Sequence, residues 1–274
     1  MTALLVRRLL IDLETPVPRH WCGGDAFRSA FFNALSMSFP VGEQFFIDSV
    51  RAGLKALPAG QQAAFRDEVQ GFIGQEATHR RIHGLFNAHL EKQGLLNDWE
   101  PRARARLKLM EGMDPRHGLA ITAANEHFTA LFAEWMLSHP QAMEGTEARL
   151  KTLWLWHSAE EAEHKCTAFD LYKALNGSEA WRLKWMRRVT FIFLSDTLRQ
   201  TVQNLRRDGT LWQWRTWRSA ASFLFGREGM IRRSYAPWRA WFRADFHPDQ
   251  QHSELSIHWL RDNTAAYAVV GQPG

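Results

Sequence analysis

The chain has 274 residues, of which 45% are hydrophobic and 23% charged, with a formal net charge of +5; this supports a sizeable core in one large domain or two small ones. Cys22 and Cys166 share no Cys-x-x-Cys spacing, which argues against a zinc knuckle or a disulfide framework and for thiols in a reducing cytosol. The longest apolar run, residues 189–194, is far below the ~18 residues a membrane span needs, and the basic residues of "MTALLVRRLL" follow its apolar ones, unlike a secretory leader.

Strand signals are nearly absent, and helical periodicity runs throughout. A first long helix is expected over about 25–57, kinked or divided at "SFP", where Pro40 removes a backbone donor. "PAGQ" connects it to a second helix over about 61–92, which stops at Gly94. A longer link, 94–118, contains the basic amphipathic piece "PRARARLKLMEG". A third helix follows over about 115–137, and a fourth from about 146 to "NGS" at 176–178. Further helices are expected over 179–207, 211–225 and 229–246, with the last residues, "GQPG", frayed.

Four long helices joined short, long, short predict an all-α fold: a four-helix bundle over about 25–177 with one long crossover. Residues 178–262 would pack on it as a helical extension, making 1–274 a single domain. That extension carries 15 Lys and Arg against 8 Asp and Glu, and 8 of the 13 Trp. Its Trp residues recur at helical spacing (181 and 185, 214 and 217, 238 and 241), which predicts an apolar face toward the bundle that walls an access route. An anionic lipid surface is the rival reading of the same composition.

Chemistry concentrates at "HSAEEAEH", residues 157–164. Glu161 and His164 are three apart, so about 60° and ~4.5 Å of rise separate them, and both can reach one ion. "GQEATHRRIH" repeats the pattern with Glu76 and His79; no other histidine in the chain has Glu three residues earlier. The remaining two long helices each give one glutamate: Glu43 precedes Glu76 by 33 residues, and Glu126 precedes Glu161 by 35. Across an antiparallel helix pair, that spacing sets the residues at one height. Both glutamates have apolar neighbours, where a carboxylate is costly unless paired or metal-bound. Four carboxylates and two imidazoles suit two divalent ions, iron ahead of manganese, about 3 to 4 Å apart. An exposed polar pair is the ordinary reading of one such motif, but a doubled motif with matching glutamates outweighs it. Glu160 and Glu163 are expected to face solvent or to hold the histidines. His83 and His157, each one turn from a ligand, are either extra or supporting donors, or buried core histidines.

On these residues the chain resembles the ferritin-like di-iron carboxylate superfamily. More narrowly, "NALSMSFPVGEQFF", "FIGQEATHRRIH" and "WHSAEEAEHKCTAFD" are similar to a bacterial family of predicted metal-dependent hydrolases, over roughly 33–173. The resemblance implies Glu43, Glu76, His79, Glu126, Glu161 and His164 as metal ligands and leaves His83 and His157 outside the six-ligand pattern. The leading functional expectation is an O2-activating di-iron oxidase or oxygenase acting on a small apolar molecule, kept dry by Phe45, Phe46, Phe128, Trp154 and Trp156. The alternatives are a binuclear hydrolase, as the family description suggests, and non-enzymatic iron binding. No nucleic-acid motif is found, so no specific nucleic-acid partner is expected. Peripheral membrane contact through the basic Trp/Arg tail and a homodimer stay open, and the expected location is cytoplasmic.

Overall fold

The computed structural model describes residues 4–251 and 254–271; the fraying expected at 272–274 lies outside them. The fold is all-α. In chain order the helices are α1 (Ala26–Ala56), α2 (Ala59–Lys92), α3 (Trp99–Lys108), α4 (Pro115–Ser138), α5 (Ala148–His164), α6 (Thr167–Ala174), α7 (Glu179–Asp208), α8 (Trp214–Phe225), α9 (Met230–Ala240) and α10 (Glu254–Asp262). Two short strands, β1 (Arg7–Leu9) and β2 (Tyr267–Val269), pair antiparallel. No helix among the described residues is long and apolar enough to cross a membrane.

Local chemistry sets the helix starts. Asp25 accepts from the Arg28 amide at 2.8 Å, Asp114 from Arg116 at 2.9 Å, and Glu147 from Leu150 at 2.9 Å, each satisfying an orphan donor of the first turn. Gly209, at φ 76°, closes α7 in the left-handed region that glycine enters freely. The basic amphipathic piece expected in the link after Gly94 forms a helix, α3. Two expectations need correction. Of the kink or division expected at Pro40, the division does not occur, and α1 runs unbroken through it. The fourth long helix is interrupted at Lys165 and Cys166, immediately after His164, so that α5 and α6 replace it.

The buried apolar residues form two clusters. One gathers Phe32 and Leu35 of α1, Phe86 and Leu90 of α2, Trp135 and Met136 of α4, and Leu153 and Trp156 of α5. The other gathers Val50 of α1, Phe72 of α2, Leu119 and Ala124 of α4, and Phe169 of α6. Following these residues in sequence, α1 and α5–α6 run from the first cluster to the second, and α2 and α4 run back. Glu43, Glu76, Glu126 and Glu161 each fall in the stretch between the clusters. The ionisable residues are therefore held in a layer with apolar core above and below.

The chain after residue 178 packs on this frame: α7 against α1 and α4, α9 against α4, and α10 against α5. Trp241 is fully buried, with Arg182 over its ring at 5.2 Å. The expected apolar Trp face fails at α8, however, where Trp214 and Trp217 are 63% and 43% exposed.

Candidate metal centre

The structure brings together all six residues of the doubled motif and adds His157. Two groups of donor atoms form, each with its atoms within 4.8 Å of one another: Glu43, His79 and His157; and Glu76, Glu126, Glu161 and His164. Glu161 links the groups, because its Oε1 lies 3.3 Å from His79 Nδ1 and 2.8 Å from His157 Nε2, and its Oε2 lies 3.5 Å from His164 Nε2. All of these residues are buried.

The donor atoms lack hydrogen-bond partners to an unusual degree. Both carboxylate oxygens of Glu43, Glu76 and Glu126 have none, nor do Glu161 Oε2, His79 Nδ1 and His164 Nε2. Buried polar atoms are otherwise satisfied in folded proteins, so such a set needs a common partner. His164 Nε2 stands 3.4, 3.3 and 3.5 Å from oxygens of Glu76, Glu126 and Glu161, with no angle suited to hydrogen bonding. Donors around one ion at bond lengths of about 2.1 Å stand about 3.0–3.4 Å apart. The convergence therefore fits divalent cations, and hydrogen bonding does not account for it.

The outward nitrogens of the same histidines are held. His164 Nδ1 donates to Gln75 Oε1 at 2.9 Å, and His79 Nε2 donates to Glu160 Oε2 at 2.9 Å. Each bond fixes the tautomer that leaves the inward nitrogen free for a cation. Arg7 of β1 then ties the supports together: its Nη1 donates to Glu160 Oε1 at 3.1 Å and to Glu163 Oε2 at 2.6 Å, and Gln75 Nε2 also donates to Glu163 Oε2, at 2.9 Å. Glu160 is fully buried, so of its two expected roles it holds a histidine rather than facing solvent. Glu163 helps through Arg7 and Gln75. The sequence reading missed Arg7, because a three-residue strand carries no usable periodicity. One available signal was Gly71 and Gly74 of α2: a Cβ at Gly74 would collide with Val6 and one at Gly71 with Leu4, so the glycines let the N-terminal arm lie against the helix.

A proton ledger separates His157 from His83. Pro40 has no N–H, so the Ser36 carbonyl one turn back lacks its helical donor. Asn87 Nδ2 supplies one at 2.9 Å, which aims Asn87 Oδ1 at Ser36 Oγ, 2.7 Å away. The Ser36 hydroxyl must therefore donate to Asn87 and accept from His83 Nδ1, at 2.9 Å. Burial first, then His157 and His79, hold His83 well below its ordinary pKa, so it is neutral and its Nε2 carries no proton. That nitrogen accepts from His157 Nδ1 at 2.6 Å. His157, lowered to about 4 by burial and by His79, is left with a bare Nε2 facing a Glu161 oxygen at 2.8 Å. At that distance the two atoms need a proton or a metal cation between them. His157 is thus a candidate donor, and His83 a support with both nitrogens used.

The electrostatics agree. Burial, and then neighbouring carboxylates, push Glu76 and Glu126 well above the usual carboxylate range; burial does the same to Glu43 despite His79. Burial would also raise Glu161, but His164, His157 and His79 outweigh it and hold it low. Without a cation the layer keeps protons it would release in water.

A cavity of about 310 Å³ opens beside this layer. Its floor includes His157, Ser158 and Glu161, and its walls include Phe39, Phe128, Phe132 and Trp154, together with Thr190 and Phe193 of α7 and Ile231 and Trp238 of α9. Trp238 Nε1 donates to Thr190 Oγ1 at 3.1 Å, joining α9 to α7 across it. Of the aromatic shell expected from sequence, Phe128 and Trp154 line the cavity. Trp156 instead meets the His79 ring edge-on at 5.0 Å, and Phe45 and Phe46 pack with the second apolar cluster.

No curated protein and no solved structure gives a significant match to the chain. A family model described as "predicted metal-dependent hydrolase" matches residues 5–252. This span takes in β1 and its Arg7, both motifs and the helices that wall the cavity. It favours hydrolysis, the alternative in the sequence reading, over oxidation, for which the comparisons offer no support. The chain belongs to the family of predicted metal-dependent hydrolases.

Proposed function

We propose that the protein is a binuclear metal-dependent hydrolase of small lipophilic esters or amides. Glu43, His79 and His157 would hold one ion, Glu76, Glu126 and His164 the other, and Glu161 both, in a ferritin-like arrangement of α1, α2, α4 and α5 with iron ahead of manganese. The observation that carries this reading is the meeting of an apolar cavity with Glu161 and His157 at its floor. Divalent ions there would supply Lewis acidity and acidify water at neutral pH. The chain's part is positional. The aromatic walls bind the acyl portion and exclude bulk water, while Gln75 and Glu160 fix the two histidine rings. In the reaction, water adds across the acyl bond, its oxygen to the acyl carbon and a proton to the leaving group.

The test is hydrolysis of p-nitrophenyl esters of graded chain length by metal-loaded and chelator-treated protein. Activity that needs metal and rises with chain length is expected; no hydrolysis, or hydrolysis indifferent to chelation, would reject the reading. A second reading, oxygen activation on two iron ions, is favoured by one observation: every donor lies on the interior face of a helix, walled by apolar core. Oxygen uptake by the ferrous-loaded protein, without ester hydrolysis, would shift the assignment to it.

A further inference from the structure

The cavity mouth lies between α7 and α9, and its rim is apolar. Leu194 and Tyr235 both line the cavity and are 46% and 57% exposed. Phe191 and Leu198, three residues before and four after Leu194, share its face of α7 and are 74% and 59% exposed. A continuous apolar stripe therefore runs along α7 past the mouth, the kind of exposed patch that marks an interaction site.

Its flanks are basic. Arg187 and Arg188 stand one turn before Phe191, and Arg199 follows Leu198. On α9, Arg232 and Arg239 stand three residues before and four after Tyr235. All five are exposed, and among the described residues none of them forms an ion pair, whereas Arg233 and Arg243 nearby do. α8, packed on α9, repeats the chemistry with exposed Trp214, Arg215, Trp217 and Arg218.

We propose that this face of α7 and α9 docks on an anionic lipid surface and that the cavity takes its substrate from the bilayer, as a lipophilic ester or amide. The substrate part rests on the hydrolase reading above; the docking part does not. Charge selects the occupant. A second copy of the chain would set the unpaired arginines against one another, whereas lipid phosphates neutralise them and interfacial Tyr and Trp suit the headgroup region. With no membrane-crossing helix among the described residues, the contact is peripheral.

The full chain, metal-free and metal-loaded, would be sedimented with phosphatidylcholine vesicles and with vesicles that also contain phosphatidylglycerol. Binding to the anionic vesicles alone, weakened by salt, is expected for both forms. Arg232→Gln with Arg239→Gln should weaken partition roughly 10–30-fold, and Phe191→Ser with Leu198→Ser should also weaken it, while thermal melts stay unchanged because all four residues are exposed. No binding to anionic vesicles, equal binding to neutral ones, or unchanged partition of both variants would overturn the proposal. So would a dimer in light scattering that Phe191→Ser with Leu198→Ser converts to monomer. Because docking is read on metal-free protein, its failure is separable from a failure of the ester assay.

Discussion

Replacing Glu76 by glutamine should flatten the pH dependence of the metal-free protein's stability. Burial first, and then neighbouring carboxylates, raise Glu76 and Glu126, and burial raises Glu43. Burial would lower His79, but its hydrogen bond to Glu160 and the nearby Glu161 carboxylate raise it to about 10. In each case the native state keeps a proton that the unfolded chain releases, above about pH 4.3 for glutamate and about 6.5 for histidine. Stability then falls as pH rises through those windows, by about 1.4 kcal/mol per pH unit for each proton held only by the native state. His83, His127 and His157, lowered chiefly by burial, act with the opposite sign but only below about pH 6.5. Each raised glutamate acts from about pH 4.3 up to its own raised value, and the Glu76→Gln substitution removes one of them. Within that window the variant should lose up to about 1.4 kcal/mol less per pH unit, or about 3–6 °C in melting midpoint for a chain of this size. Circular-dichroism melts of chelator-dialysed protein from pH 5 to 9 read the difference directly. Parallel curves for the two proteins across that range would refute the reasoning.

His157→Asn should reduce bound metal from two ions per chain to one, whereas His83→Asn, which removes only a supporting ring, should keep two; elemental analysis of both variants decides. Arg7→Met should weaken metal affinity about 10–100-fold with every donor intact, read by chelator competition. Gly74→Ala should displace Val6 and with it the arm that carries Arg7, so it should lower the melting midpoint and weaken affinity in the same direction; an unchanged midpoint would mean that the arm does not need the close approach.

The doubled Glu-x-x-His pattern was legible because helical spacing is local: Glu76 with His79, and Glu161 with His164, face one way whatever surrounds them. The matching glutamates, Glu43 and Glu126, were legible because short connections fix relative height across a helix pair. What could not be read depended on contacts between distant segments. β1 pairs with β2 across nearly the whole chain, so no window of sequence holds both. The distinction between His83 and His157 rests on Asn87 answering a carbonyl that Pro40 leaves open, and in the sequence the proline read only as a kink or division of the helix. Spacing gave the Trp residues of α8 an apolar face, but Trp214 stays exposed with the Arg218 guanidinium over its ring at 4.9 Å, which depends on the neighbours a helix meets and not on its period.

The account stands most directly on where ions bind. Crystals of the protein grown with Fe(II) or Mn(II), with anomalous data collected at the metal edge, should show two peaks per chain. One should lie among Glu43, His79, His157 and Glu161, and the other among Glu76, Glu126, Glu161 and His164. An ordered layer with neither peak, or metal bound only elsewhere on the chain, would contradict it.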